Sequence, residues 1–266
     1  MDTEKLLQQL QAVSDPELGE KSPFPNRDLI IKCLHEAQAM ILPGFFDYKR
    51  LHFEELLDDF SHTIYKEIEK ALKLHNDSRN ANDIISGFLE ELPEIKRVTL
   101  TDIQAIYDGD PAAKSKQEVI ICYPGFYAIF VYRIAHVFYR LDVPIIPRIM
   151  SEYVHNKTGI DINPGATIGD YFCIDHGTGV VIGETSVIGS HVKLYQGVTI
   201  GAKSFKMDEN GNPVKGGKRH PNIGNNVVIY ANATILGGDT TIEDDVVIGG
   251  NSWITDSVEA GSKITG

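Results

Sequence analysis

An α + β fold is predicted, in which an all-helical N-terminal part is followed by a parallel β-helix of six-residue repeats. Two observations predict it. Apolar residues recur at helical spacing up to about residue 158, and from Gly159 aliphatic residues recur every six positions. The 266 residues allow one large or two modest domains, and 42% hydrophobic with 23% charged residues is a globular composition. The expected division is 1–158, helical, and 159–266, β-helix. Within the first, 1–80 adds helices ahead of a segment at 98–158.

In the helical half, "LHFEELLDDFSHTIYKEIEKALKLH" puts Phe53, Leu56, Leu57, Phe60, Ile64, Ile68, Ala71 and Leu72 on one stripe. "NDSRNAN", Asn76 to Asn82, is polar and reads as a loop. "EVIICYPGFYAIFVYRIAHVFYRL" is apolar on more than one face, as in a helix packed between partners, and Pro124 with Gly125 interrupts it near its start. Pro23, Pro25, Pro43, Pro93 and Pro144 with Pro147 punctuate the other helices.

In the second half the anchors run Ile162, Ile168, Ile174; then, after a two-residue slip, Ile182, Ile188, Leu194, Ile200. A gap follows, then Ile223, Ile229, Ile235, and after one extra residue Ile242, Ile248, Ile254. A six-residue period would carry an apolar stripe around a helix. It suits a coil of short flat strands, each aliphatic stacking on the one a turn away. The gap, Ala202 to Asn222, is polar and basic, with Lys203, Lys206, Lys215, Lys218 and Arg219. An insertion here must leave the coil as a loop, and function often sits on such loops.

Composition excludes several classes. The formal net charge of −12 disfavours nucleic-acid and anionic-membrane partners. No apolar run is long enough for a membrane span, and the N-terminus lacks a signal-peptide profile. Cys33, Cys122 and Cys173 are scattered and odd in number, so neither a disulfide framework nor a zinc spacing follows, and a cytoplasmic location is expected.

The stretches "GIDINPGATIGDYFCIDHGTGVVIGETSVIG", "GVTIG", "GGKRHPNIGNNVVI" and "TILGG" resemble the serine O-acetyltransferases of the hexapeptide-repeat acyltransferase superfamily. "DGDPAAKS" and "GFYAIFVYRIAHVFY" are similar to the helical segment that precedes the repeats there. The resemblance covers about Val98 to the C-terminus. It implies a left-handed coil, acetyl transfer from acetyl-CoA to the hydroxyl of L-serine in cysteine synthesis, and a homotrimer or dimer of trimers with sites between neighbouring β-helices.

That chemistry needs a base for the alcohol, a carboxylate to orient it, a donor for the oxyanion and a means of holding both substrates. By resemblance His176 is the base and Asp161 its partner. His220 and Arg219 meet the amino-acid carboxylate, His220 also serving catalysis by assisting the base, and Asp110 and Asp175 receive the ammonium. Gly201, Ala202, Ala231, Gly249 and Gly250 line the acetyl-CoA groove, with the Gly201 amide a candidate oxyanion donor. Each has a plainer reading: a corner histidine for His176, a boundary carboxylate for Asp161, an N-cap for Asp110, a loop charge for Arg219. Lysines 203, 206, 215 and 218 either attract the cofactor phosphates or are ordinary loop charges. Cys173, three residues before His176, raises a covalent acyl-enzyme, against which direct transfer is preferred. His136 reads as core; His35, His52, His62, His75 and His155 carry no recognisable context.

The pattern departs from the family at Asn163, Lys218 and Ala202, and in a longer loop before Lys218. The sequence stops at "GSKITG", inside a repeat, without the family's tail that docks into the next pathway enzyme: either the sequence is shortened or the chain lacks that partner, whose docking is therefore doubtful. Feedback by cysteine is compatible with the residues. Competing readings are an acetyltransferase for a sugar or antibiotic hydroxyl, a metalloenzyme using His176, His191 and His220, and a non-catalytic scaffold. No metal is expected.

Overall fold

The computed structural model describes residues 2–13, 24–46, 52–204 and 207–265, so that Pro23 and Lys206 fall outside the described residues. Among the described residues seven helices come first: α1 (Thr3–Ala12), α2 (Arg27–Ile41), α3 (Phe53–Leu74), α4 (Ala81–Gly109), α5 (Lys116–Cys122), α6 (Pro124–Arg140) and α7 (Ile146–Thr158). The apolar stripe of α3 buries Leu56, Phe60, Ile64, Ile68, Ala71 and Leu72, while Phe53 stays exposed. Phe60 stacks on Phe88 of α4 at 5.3 Å and Phe88 on Phe138 of α6 at 4.3 Å, which joins three helices through one aromatic column. The apolar stretch from Glu118 breaks at Tyr123, where α5 and α6 meet at 77° with Pro124 in the first turn of α6. Almost the whole of α6 is buried, as expected of a helix packed on several sides.

The prolines divide into two groups. Pro25 precedes the N-cap Asn26, Pro43 follows the C-cap Leu42, and Pro147 sits in the first turn of α7. Pro93 does not punctuate: α4 runs through it. Proline removes one amide from the ladder but keeps a helical φ, and the buried Phe88 and Ile95 on either side hold α4 in place. The polar loop ends at Asn80, whose side chain accepts the Asn82 amide at 2.9 Å and caps α4.

The change from helix to strand falls between Thr158 and Asp161. From there the chain coils as a left-handed parallel β-helix with three sheets. Sheet A holds β1 (Asp161–Ile162), β4 (Val181–Ile182), β7 (Thr199–Gly201), β10 (Thr234–Leu236) and β13 (Trp253–Ile254). Sheet B holds β2 (Thr167–Ile168), β5 (Val187–Ile188), β8 (Asn222–Ile223) and β11 (Thr241–Ile242). Sheet C holds β3 (Cys173–Ile174), β6 (Lys193–Leu194), β9 (Val228–Ile229), β12 (Val247–Ile248) and β14 (Lys263–Ile264). The six-residue anchors become three stacks: Ile162, Ile182, Ile200, Ile235, Ile254 in sheet A; Ile168, Ile188, Ile223, Ile242 in sheet B; Ile174, Leu194, Ile229, Ile248 in sheet C, to which Ile264, outside the six-residue series, adds a last layer. Each fully buried aliphatic contributes roughly 1.5–3 kcal/mol of transfer free energy.

A buried ion pair ties helices to coil. Both Asp102 carboxylate oxygens of α4 accept from Arg133 of α6 at 3.0 Å, and one also accepts the Phe172 amide at 2.9 Å. Arg133 goes on to donate to the carbonyls of Ile168 and Gly169 at 2.6 and 2.7 Å.

Candidate active site

The predicted residues gather on two different corners of the coil. The turn from sheet C to sheet A, residues 175–180, carries Asp175 and His176. His176 has φ 59°, a left-handed conformation, and its side chain is 72% exposed. Its Nε2 lies 3.7 Å from Asp175 Oδ1. The next residue, Gly177, abuts Ile160: a Cβ on Gly177 would meet Ile160 Cδ1 at 2.4 Å. Asp161 follows Ile160 and opens sheet A, so Asp161 and the His176 turn belong to the same edge of consecutive coils. Among the described residues no hydrogen bond or ion pair joins their side chains. The Asp161 carboxylate sits instead in a group with Glu152 and His155 of α7, ligand atoms within 4.8 Å of one another. The helical half thus supplies a histidine beside Asp161 that carried no context in the sequence.

Asp110 reaches the same corner from the C-terminal end of α4. One carboxylate oxygen accepts the Ala112 amide at 2.8 Å, the turn-capping role, and the other accepts the Tyr123 hydroxyl at 2.6 Å. The Tyr123 bond, with the charges of Lys193 and His176 adding, holds the Asp110 carboxyl below the usual range, and the same bond pushes the Tyr123 phenol up to about 12. Tyr123 also lines a cleft of ≈ 350 Å³ with Phe46, Tyr127 and Thr158. Asp175 meets Lys193 Nζ at 3.3 Å. Cys173 is buried and burial pushes its thiol up to about 12, which removes the thiolate that a covalent route requires.

The strand register continues one position past the ends of sheet C, so Asp175, Tyr195, Tyr230 and Gly249 form one column; the extra residues of the His176 turn bulge from the next, in which Thr178, Gln196, Ala231 and Gly250 align. Three of the positions expected along the acetyl-CoA groove therefore lie on the His176 corner. A Cβ on Gly250 would come within 3.1 Å of the Ala231 carbonyl. Tyr195 and Tyr230 stack at 5.0 Å in the Asp175 column.

The second corner lies between sheets A and B. Gly201 and Ala202 leave β7 there, and the inserted loop returns through Arg219 and His220. The His220 ring rests on Gly183, where a Cβ would stand 2.0 Å from Cδ2 and 2.1 Å from Nε2. Its Nδ1 accepts the Thr185 amide at 3.0 Å, and since an amide only donates, the proton of the neutral ring is on Nε2. Burial, and then the Arg219 charge, lower its pKa to about 4, so the ring is neutral near pH 7. Arg219 pairs with Glu184, which also accepts from the Tyr139 hydroxyl at 3.1 Å. The Arg219 bond holds the Glu184 carboxyl below its ordinary value. A cleft of ≈ 390 Å³ beside this pair is lined by Tyr139, Arg148, Asn163, Pro164 and Glu184.

Lys218 is no free surface charge: its Nζ donates to the Thr185 carbonyl and to Asn222 Oδ1, both at 2.7 Å, and so fastens the loop to the coil. Lys203 and Lys215 are exposed. His191 stacks on Tyr171 at 4.3 Å on the third corner, between sheets B and C, so within one chain His176, His191 and His220 do not converge. His136 is half-buried and bonds the Pro164 carbonyl at 2.7 Å. Sequence reasoning missed Glu184, Tyr123, Lys193 and the Glu152–His155 pair.

The chain is similar to known proteins over most of its length. A family model described as the serine acetyltransferase N-terminal region matches residues 34–130. The plasmid serine acetyltransferase of Synechococcus elongatus is 44% identical over 262 residues, which covers 91% of this chain and 82% of that one. The crystal structure of Entamoeba histolytica serine acetyltransferase 1 in complex with L-cysteine superposes with a TM-score of 0.78 at 36% identity, covering 96% of this chain and 94% of that one. A serine acetyltransferase in complex with CoA superposes with a TM-score of 0.61 at 27% identity, covering 89% and 95%. With a relative 44% identical over 91% of this chain, and solved serine acetyltransferase structures of the same fold, the chain belongs to the serine acetyltransferases, a family of acyltransferase enzymes.

Proposed function

We propose that the protein transfers the acetyl group of acetyl-CoA to the hydroxyl of L-serine, giving O-acetyl-L-serine and CoA. His176 removes the hydroxyl proton as the serine oxygen attacks the thioester carbonyl. Such base catalysis is worth roughly 10²–10⁴-fold. The tetrahedral intermediate then expels the CoA thiolate, which recovers the proton from the imidazolium. Asp161 orients the ring once it is turned towards the substrate, and Asp175 is the carboxylate nearest to it beforehand. The buried, protonated Cys173 favours direct transfer over an acyl-enzyme.

The amino-acid acceptor is a zwitterion and needs both signs of charge. Asp110 and Asp175 receive its ammonium. Arg219 binds its carboxylate, with the Nε2–H of neutral His220 as a second donor. The two groups lie on different corners of one coil, which supports a site completed by the neighbouring β-helix of a trimer. Acetyl-CoA runs along the groove between the two coils past Ala231, Gly249 and Gly250 of one and Gly201 and Ala202 of the other. Cysteine, which shares the α-amino acid end, competes at the acceptor subsite.

The observation that carries the reading is the joint placement of Asp110, Asp175 and His176: two carboxylates beside an exposed imidazole fit an ammonium-bearing alcohol. Release of CoA thiol measured with L-serine and with a panel of sugars tests it. Serine-dependent release at least ~100-fold faster than with any sugar is expected, the discrimination available when buried polar groups are left unpaired. Equal or faster release with a sugar would replace serine by that acceptor class.

A further inference from the structure

Lys193 of β6 joins the helical half to the coil at this corner. Cys173 and Lys193 are neighbours in the sheet C ladder, which sends the lysine stem across the coil towards α4. Its Nζ donates to the Gly109 carbonyl at 2.7 Å, lies 3.3 Å from Asp175 Oδ2 and stands 4.6 Å from the centre of the Tyr195 ring. The side chain is only 18% exposed. The Gly109 carbonyl belongs to the last turn of α4, where carbonyls lack helical partners and a cation is favoured. The fit is close: a Cβ on Gly109 would touch both the Lys193 Nζ and the Cys173 sulfur at 3.6 Å.

We propose that Lys193 is a positioning residue for the acceptor subsite, setting the spacing of the two carboxylates that receive the substrate ammonium. The inference rests on the serine-acetyltransferase reading of Asp110 and Asp175. Asp110 follows Gly109 directly, so the bond that pins Gly109 pins Asp110, and the same ammonium holds Asp175. Charge points the same way. Two carboxylates with one incoming ammonium leave an unbalanced negative charge in a part-buried site, and such imbalance is costly. With Lys193 present, the two acids and two ammonium groups sum to zero. The lysine head is already held by a carboxylate, a carbonyl and a ring, which assigns it to the wall of the subsite rather than to the substrate carboxylate.

Lys193→Met and Lys193→Gln, which remove the charge while keeping a long side chain, and Lys193→Arg, which keeps the charge, test this in the full-length protein. Thiol release is measured against L-serine at saturating acetyl-CoA and against acetyl-CoA at saturating serine, with thermal midpoints as a folding control. Met and Gln are expected to raise the serine KM by at least ~10-fold, the scale of one charge-assisted hydrogen bond, with the acetyl-CoA KM within about twofold and Arg recovering most of the loss. If Met does not fold, Gln decides. A serine KM within about twofold of wild type in both, or serine and acetyl-CoA KM rising together, overturns the proposal. A wild-type enzyme without serine-dependent release overturns the functional reading and this one together; an active wild type with unmoved variants overturns this one alone.

Discussion

His220 shows what a single residue needs from its surroundings. The sequence marks it through "KRHP", yet its chemistry is set by neighbours far along the chain. Thr185 takes the Nδ1 lone pair, Gly183 makes room for the ring, and burial with Arg219 keeps it neutral. None of these is readable from the histidine and its immediate sequence. The clearest prediction at this scale concerns Gly183, whose φ is not in the left-handed region and whose nearest obstacle to a Cβ is the His220 ring. Gly183→Ala puts a methyl 2.0 Å from His220 Cδ2, and the ring has to leave. A stability loss of about 1–3 kcal/mol is expected, the usual cost of overpacking. The serine KM should rise at least ~10-fold as one acceptor contact is lost. Denaturant unfolding and serine titration check it. An alanine variant with wild-type stability and serine KM would show that the ring has another seat.

Elements were legible where their period was long and pure. The six-residue ruler foretold all three stacks, because an inward aliphatic at each strand is the only way such short strands share a core. Its irregularities were informative too. The two-residue slip after Ile174 makes the His176 turn, and the long gap delivers Arg219 and His220. The extra residue after Ile235 lies at the Gly237–Gly238 turn, where a Cβ on Gly238 would stand 2.8 Å from Arg219 Cα. Pro93 was misread because local propensity says stop while tertiary burial says continue. Lys193 and Tyr123 were invisible for another reason: each acts across the junction of α4, α5 and the coil, and no spacing within one element records that. The Asp102–Arg133 pair is a further junction of this kind. Asp102→Ala leaves a buried guanidinium without its paired carboxylate and is expected to cost about 3–5 kcal/mol. Chemical denaturation should show it as a lowered midpoint; a loss below about 1 kcal/mol would mean that water enters to solvate Arg133.

At the scale of the molecule, the three-sided cross-section decides how the site is built. His176, Asp175 and Asp110 share one corner, and Arg219 and His220 occupy another, so no single coil brings both ends of a small amino acid together. In the proposed trimer, a ring of three coils would set the first corner of one against the second corner of the next, which closed symmetry allows at every interface. The cleanest test mixes two damaged chains. His176→Ala removes the proposed base, and Arg219→Ala removes the proposed carboxylate anchor. Each alone should lose at least ~100-fold in serine-dependent thiol release at serine well below KM. Co-expressed in equal amounts, the two would in the proposed trimer leave about one site in four with an intact His176 facing an intact Arg219 across an interface, and about a quarter of wild-type activity should return. No recovery on mixing, or near-normal activity in His176→Ala by itself, would contradict the account.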